Sequence, residues 1–303
     1  MFDLTNPIFT DADKAREHLE AVNWPDGPTC PHCGEWKNVH RLAGKSTRPG
    51  LIQCNSCLKN FTVTVGTVFE RSKVPLNKWM LATYLLSSSK KGMSAHQIHR
   101  MLGVTYKTAW FMCHRIREAM DQDSGPLGGS PERIIEADET WIGGSDENRA
   151  FRSAAPKKIV VTLVERNGKA RSFHVANANA ATIRPLLFQH ADRLSSLMTD
   201  EATTYIKAGE GYWQHQTVVH GHKQYAKKGG WHTNTVENFF SIFKRGIVGV
   251  YHHVSEAHLG RYAREFDFRY NTRTITDGER ADQLLKGIVG KRLTYRRPLA
   301  FAA

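Results

Sequence analysis

The sequence lacks any apolar run that approaches the roughly 18 residues of a membrane-spanning helix. Its first ten residues, MFDLTNPIFT, do not combine a basic region with an apolar run, so we expect no secretory signal. Five cysteines in 303 residues are too few for a disulfide scaffold. Internal repeats and low-complexity segments are also absent. These absences favour a globular protein that depends on neither a membrane nor disulfide bonds.

The sequence has fewer acidic residues than basic ones. Aspartate and glutamate total 29 against 42 lysines and arginines, which gives a formal net charge of +13. Such an excess indicates a polyanionic partner, most often nucleic acid. Composition alone leaves open a soluble protein that is merely basic. A length of 303 residues with 40% hydrophobic content is enough for two or three small domains.

The cysteines that are present have the spacing of a metal site. A short amphipathic helix is predicted over residues 10–22, with Thr10 or Asp11 as its cap. Two C-x2-C pairs, separated by twenty residues, then supply four thiolates for one tetrahedral Zn²⁺. The four residues are Cys30, Cys33, Cys54 and Cys57. Alternating residues over 59–65 predict a strand. Residues 1–73 are therefore interpreted as a helix followed by a zinc ribbon.

Residues 74–122 are predicted to be helical and to bind DNA. Ser94 caps a short helix, Gly103 makes a turn, and Thr105 caps a second helix. This order is typical of a helix-turn-helix, whose second helix can enter the major groove. The basic residues proposed to contact DNA from the second helix are Lys107, Arg115 and Arg117. Any helical hairpin can show the same pattern, so that alternative stays open.

A segment rich in Gly, Pro, Ser and Asp, residues 121–131, is interpreted as a linker to a third region over 130–290. Its pattern predicts three strands, a helix and a further buried strand, which is an α/β order with a mixed sheet. The second and third strands are joined by an Asn167-Gly168 hairpin turn. Asp138 and Asp200 each follow an apolar strand, where an acid is costly unless it is paired. Either could instead cap a turn.

The residues from 232 to 246 predict a helix that begins at Asn234. Apolar residues at five positions form one core-facing stripe: Val236, Phe239, Phe240, Phe243 and Ile247. Glu237 and Lys244 lie on the flank of that stripe, two turns or roughly 10 Å apart. On local grounds, Glu237 could complete a capping box with Asn234, and Lys244 could complement the helix dipole. Two further helices and a basic tail, residues 291–303, follow.

Together these motifs resemble the DDE transposases of prokaryotic insertion sequences, in the ISXO-type group that joins an N-terminal zinc ribbon to an RNase H-like core. The resemblance rests on the four cysteines, the motif of residues 138–144, Thr199-Asp200, residues 232–237 with a lysine seven positions after the acid, and residues 265–273. It covers nearly the whole chain. It implies a zinc ribbon, a helix-turn-helix region and an RNase H-like mixed-sheet domain with C-terminal helices.

The resemblance also implies roles for individual residues. Asp138, Asp200 and Glu237 would be the catalytic acids and would hold two Mg²⁺ or Mn²⁺ ions. Lys244 and Arg245 would contact DNA near them. Glu136 lies on the same strand face as Asp138, two residues earlier, so strand alternation does not exclude it from the catalytic set.

The implied reaction is two-metal phosphoryl transfer. The enzyme would free the 3′ end of a transposon and join that end to target DNA. Its partners would be the terminal inverted repeats and target duplex, bound by a homodimer or higher oligomer in the cytoplasm of a prokaryotic cell, at the nucleoid. Three alternatives remain: a non-catalytic DNA-binding protein, a nuclease on the same fold without strand transfer, and a structural zinc protein.

Overall fold

The computed structural model describes residues 4–121, 125–143, 157–218 and 231–294. These residues form two compact units. Unit 1 contains the described residues up to 121 together with those from 274 to 294, and unit 2 contains those from 125 to 273. The last glycine of the 138–144 motif and most of the basic tail lie outside the described residues. None of the helices in the described ranges is both long and apolar enough to cross a membrane.

The helices, in chain order, are α1 (Ala12–Asn23), α2 (Leu76–Ser88), α3 (Ala95–Leu102), α4 (Tyr106–Ala119), α5 (Ala180–His190), α6 (Thr203–Gly209), α7 (Asn234–Gly246), α8 (Glu256–Asn271) and α9 (Asp277–Lys286). The strands are β1 (Val39–Arg41), β2 (Ile52–Cys54), β3 (Asn60–Phe61), β4 (Ile134–Ile142), β5 (Lys158–Glu165), β6 (Ala170–Val175), β7 (Ser196–Asp200) and β8 (Gln214–Val218). A π-helical segment, Ile247–Tyr251, continues α7.

Unit 1 begins as the sequence predicts. Asp11 caps α1, because its carboxylate accepts hydrogen bonds from the amides of Asp13 and Lys14. Strands β1, β2 and β3 form a three-stranded antiparallel sheet in chain order. The strand predicted over residues 59–65 is shorter than expected. It ends at Phe61, because the chain then turns with a hydrogen bond from the amide of Val65 to the carbonyl of Thr62.

The remaining helices of unit 1 include one that the sequence analysis assigned to the third region. The predicted caps of α3 and α4 are present, and Gly103 between them adopts a left-handed conformation with φ of 60°. Helix α9 packs against α1 and α2, so it belongs to unit 1 and not to the mixed-sheet unit. His18 on α1 and Asp282 on α9 lie 2.8 Å apart (Nε2 to Oδ1). Sequence spacing could not indicate this contact, because the two residues are 264 positions apart.

Unit 2 is built on a five-stranded mixed sheet in the order β6-β5-β4-β7-β8. Strands β4, β5 and β6 pair antiparallel, whereas β7 and β8 run parallel to β4. The hairpin between β5 and β6 turns at Asn167, whose φ is +58°. This is the predicted mixed sheet of an RNase H-like core. Strand β8 and helix α6 were not predicted, because their sequences are polar and short.

Each face of the sheet is covered by helices, and the alternation of β4 decides which acid faces which helix. Buried Ile135 and Ala137 of β4 face α5 and α6. Ile142 faces α7 and α8, with the phenylalanines of the predicted apolar stripe packed against it. Since side chains alternate along a strand, Glu136 and Asp138 lie on the α7 face. The sheet therefore carries both acids toward the start of α7.

Helix α8 also closes the free edge of the sheet at β6. Asn271 accepts a hydrogen bond from the amide of Ala170 (2.6 Å) and donates to its carbonyl (3.0 Å). One turn earlier, Asp267 accepts hydrogen bonds from the amide of Ser172 (2.8 Å) and from its hydroxyl (2.6 Å). These side chains replace the missing neighbouring strand, which keeps the edge from pairing with another chain.

Candidate active site and zinc centre

The four predicted cysteines meet at one point in unit 1. Their sulfur atoms all lie within 4.8 Å of one another, with Cys30 and Cys57 3.7 Å apart and Cys33 and Cys54 3.6 Å apart. A tetrahedral Zn²⁺ with bonds of about 2.3 Å requires sulfur separations of about 3.8 Å. The observed geometry fits a structural zinc ion, so the predicted zinc ribbon is confirmed.

The two cysteine knuckles have matching backbones and are linked by one carboxylate. Gly34, after the first pair, has φ of +77°, and Leu58, after the second pair, has φ of +58°. Glu35 accepts hydrogen bonds from three consecutive amides of its own loop, at residues 36–38, and from the hydroxyl of Ser56 in the other knuckle (3.0 Å). The pKa of Glu35 is lowered by these hydrogen bonds, first that from the Lys37 amide.

The three basic residues of α4 that were predicted to contact DNA differ in their exposure. Lys107, in the first turn of α4, is exposed. Arg115 and Arg117 are 7% and 2% exposed. Arg115 donates to the carbonyl of Glu70 (2.6 Å) and stacks near Trp79. The prediction that Arg115 and Arg117 contact DNA is corrected, because most of α4 is buried in unit 1 and only its first turn presents a surface.

Asp138 and Asp200 lie side by side on neighbouring parallel strands. The pairing of β4 with β7 places Glu136 opposite Met198, so two residues further along each strand Asp138 is level with Asp200. Asp138 was predicted to end its strand, and that prediction is wrong. Strand β4 continues to Ile142 through its pairing with β5, after its pairing with β7 has stopped. The two aspartates therefore stand where β4 and β7 separate.

The electrostatics of Asp138 show that other acids are close. Burial raises the pKa of Asp138 to about 7. A hydrogen bond from the Glu139 amide (2.8 Å) acts in the opposite direction. The carboxylates of Asp200, Glu139 and Glu237 each raise the pKa further. This position thus carries an accumulation of negative charge, which a cation would relieve.

Glu237 is half-buried in the first full turn of α7. The helix begins one residue earlier than predicted, with Thr233 in place of Asn234 at the N-cap. Glu237 consequently follows the N3 position, so the capping-box alternative, which needs the acid at N3, does not apply. Its carboxylate accepts a hydrogen bond from the hydroxyl of Thr233 (3.1 Å). It is also close enough to Asp138 to act on its pKa.

The other sequence-predicted residues of α7 lie at its far end. Lys244 and Arg245 are exposed in the last turn, and the flank predicted to carry Glu237 and Lys244 is the less buried side of the helix. Glu139 lies on the opposite face of β4 and accepts a hydrogen bond from the hydroxyl of Tyr205 (2.6 Å). Asp200 also accepts a hydrogen bond from the Ala202 amide (3.1 Å), so its alternative role as a turn cap is real.

One acid of this region plays a part that the sequence did not indicate. Glu136 is completely buried, and its carboxylate contacts the backbone at the start of α7. The sequence indicated only that Glu136 shares a strand face with Asp138. The contact joins residues about a hundred positions apart, so no local pattern could have revealed it.

Each of the two units contains a segment that matches a known protein family. Residues 126–271 match the family model for the ISXO2-like transposase domain, and residues 10–60 match that for the transposase zinc-ribbon domain. An uncharacterized protein in transposable element ISH50 of Halobacterium salinarum is 29% identical over 280 residues, covering 86% of this chain and 91% of that protein.

Among solved structures, the Mos1 transposase paired-end complex with left transposon end is 13% identical and covers 66% of this chain and 79% of that chain. Its TM-score is 0.22, so this likeness carries no argument. The two family matches, in the predicted order along the chain, carry the assignment. The chain belongs to the insertion-sequence transposases that join a transposase zinc ribbon to an ISXO2-like transposase domain.

Proposed function

We propose that this transposase-family protein cleaves DNA at transposon ends and joins the freed 3′ end to target DNA by metal-dependent phosphoryl transfer. The proposal rests above all on one observation. Asp138 and Asp200 are level on adjacent parallel strands, and Glu237 approaches them from α7 closely enough to raise the pKa of Asp138. Three carboxylates that converge in this way form an oxygen-donor set suited to Mg²⁺ or Mn²⁺.

The three acids of the candidate site offer only carboxylate oxygens as ligand atoms. Within the residues that the structure describes, only the four cysteines have three or more potential ligand atoms within 4.8 Å of one another. The three carboxylates are therefore spaced more widely, as expected for like charges. Burial first, and then the neighbouring carboxylates, raise the pKa of Asp138 to about 7. Oxygen ligands together with unbalanced negative charge fit a divalent cation.

Each residue then has a defined task. Asp138, Asp200 and Glu237 would together hold the divalent cations through their carboxylate oxygens. When bound, the cations supply an activated water or 3′-hydroxyl and stabilise the leaving 3′-oxygen. No side chain is needed as a nucleophile. Lys244 and Arg245, exposed two turns beyond Glu237, would hold DNA phosphates as point charges.

We assign DNA recognition to exposed residues of unit 1 and to the positive charge of the whole chain. The first turn of α4 presents Tyr106 and Lys107, and α3 presents Arg100 beside it. In a helix-turn-helix, the N-terminal residues of the second helix reach base edges. A net charge of +13 supports binding to the backbone of the flanking duplex. The active form would be a homodimer or higher oligomer on DNA in the prokaryotic cytoplasm.

The proposal is tested with the terminal repeats at the ends of the insertion sequence that encodes this chain. Purified protein is given a duplex carrying a terminal repeat, with Mg²⁺, and separately a pre-cleaved end with target plasmid. We expect nicking at the repeat and joined products, and neither with Asp138→Asn protein that still binds the repeat. Cleavage without joining would instead identify a nuclease. Binding with no metal-dependent cleavage would identify a non-catalytic DNA-binding protein.

A further inference from the structure

The acid that the sequence could not place, Glu136, joins the strand of Asp138 to the helix of Glu237. Its side chain is 0% exposed. One carboxylate oxygen accepts hydrogen bonds from the backbone amides of Thr235 (2.7 Å) and Val236 (3.0 Å). The other accepts from the hydroxyl of Thr235 (2.8 Å). A carboxylate thus satisfies the free amides at the start of α7, where the helix dipole also favours negative charge.

The charge of Glu136 is balanced in place. Arg166, at the end of β5, donates through Nε to the carboxylate of Glu136 (2.5 Å). The same guanidinium donates through a terminal nitrogen to the carbonyl of His232 (2.7 Å), and His232 Nδ1 lies 3.2 Å from Glu136. The acid, the arginine and the residues before α7 therefore form one network. A buried charge with such partners is held in a single arrangement.

This network fixes the position of α7 along its axis and its rotation about that axis, which apolar packing leaves free. The phenylalanine stripe presses α7 against the sheet, but apolar contacts tolerate sliding and rotation of the helix. Hydrogen bonds from Glu136 to two successive amides set both the height and the rotation of the first turn. Glu237 follows directly after those amides, and Asp138 follows Glu136 by two residues on the same face of β4. One side chain thus sets the relation between two candidate metal ligands.

We propose that Glu136 is a positioning residue that holds Glu237 in register with Asp138, an inference that rests on the proposed metal site. Glu136 is not itself a ligand. Its two oxygens already accept from four donors on α7 and Arg166, so its lone pairs are occupied. Its contribution is made through the helix that it anchors.

The test compares Glu136→Gln with Glu165→Gln in zinc-loaded, full-length protein. Glu165 is a matched control, because it is a buried acid of the same sheet, paired with Arg133 at 2.9 Å and not with α7. Mn²⁺ is the probe, and its binding is read by electron paramagnetic resonance without DNA. Cleavage of terminal-repeat DNA is then measured across Mn²⁺ concentrations.

We expect Glu136→Gln to raise the Mn²⁺ dissociation constant and the half-saturating Mn²⁺ concentration for cleavage by about tenfold or more. The KM for DNA should stay unchanged, and excess Mn²⁺ should restore much of kcat. In hydrogen exchange, the amides of Thr235 and Val236 should lose protection. Glu165→Gln should show none of these changes. Thr235→Val, which removes one hydrogen bond to Glu136, should move Mn²⁺ affinity in the same direction by less and serves if Glu136→Gln does not fold.

Two results would overturn the inference. Equal Mn²⁺ affinities in the Glu136→Gln, Thr235→Val and Glu165→Gln proteins would reduce Glu136 to a stabilising residue. Loss of cleavage at every Mn²⁺ concentration, with wild-type Mn²⁺ affinity, would make it a direct participant. Failure of the proposed function is recognised separately, because Asp138→Asn protein would then bind Mn²⁺ as the wild type does.

Discussion

At the scale of the residue, two acids of one strand differ because their neighbours differ. Glu136 and Asp138 share a face of β4 and lie two positions apart. Glu136 is surrounded by Arg166 and the amides of α7, so its negative charge is compensated. Asp138 is buried close to other carboxylates, and burial first, then their negative charge, raises its pKa to about 7. The compensated acid suits a structural role, and the uncompensated one suits a cation.

Asp267 provides a second residue-scale prediction, on stability. Burial raises its pKa to about 7, although its hydrogen bonds from Ser172 act to lower it. The folded protein therefore holds a proton that the unfolded chain releases near pH 4. This stabilisation is fully present below about pH 4 and is lost as the pH rises through 7, to the extent of about 4 kcal/mol.

Asp267→Asn cannot ionise: its amide oxygen can accept from the Ser172 amide, and its NH2 group can donate to the Ser172 hydroxyl. We expect the mutant to match the wild type in stability near pH 4 and to exceed it increasingly as the pH rises to 8. Hydrogen exchange of the β6 amides, which reports on unit 2, measures this. Asp277→Asn, at an exposed acid of α9, is the control. A difference between wild type and Asp267→Asn that does not change with pH would contradict the raised pKa.

At the scale of the element, local signals were predictable and distant contacts were not. The caps Asp11, Ser94 and Thr105 and the Asn167 turn follow from a few adjacent residues, and the structure has them. The start of α7 was missed by one residue, because its cap is supplied largely by Glu136 from β4. Whether a basic helix residue is exposed depends on tertiary packing, and that is why Lys107 and Arg115 could not be distinguished.

That distinction predicts different effects on DNA binding. Lys107→Ala should weaken binding to terminal-repeat DNA severalfold and reduce the slope of log affinity against log salt concentration by about 1, because one phosphate contact is lost. Arg115→Met, which removes a buried guanidinium while keeping its volume, should lower thermal stability with the salt slope unchanged. Both are measured by fluorescence anisotropy at several salt concentrations. An unchanged slope for Lys107→Ala would remove α4 from the DNA-binding surface.

At the scale of the whole molecule, the two leading features are a four-cysteine zinc site and an excess of positive charge. The cysteine spacing and the net charge were readable from the sequence, because each depends on composition or short-range order. The division into units was not. Helix α9 lies in the predicted third region of the chain but packs in unit 1, and no local sequence signal indicates its partner helices.

Removal of zinc should affect unit 1 in a defined way. Wild-type protein should contain one zinc per chain by atomic emission, and Cys54→Ser should lose it. The contact between Trp24 and Phe61, with ring centroids 5.9 Å apart, should then be lost from the near-ultraviolet circular dichroism spectrum. Cys113→Ala, at a buried cysteine of α4 outside the cluster, should keep the zinc. Full zinc content in Cys54→Ser would contradict the four-cysteine site.

The central claim is that Asp138, Asp200 and Glu237 form one metal site, and Glu237 is the residue on which it depends most. The most direct measurement is Mg²⁺-dependent cleavage of terminal-repeat DNA by Glu237→Gln beside Glu201→Gln, an exposed acid next to Asp200. We predict that Glu237→Gln loses cleavage by about a thousandfold or more while binding DNA normally, and that Glu201→Gln cleaves as the wild type does. Cleavage by Glu237→Gln at the wild-type rate would contradict the account.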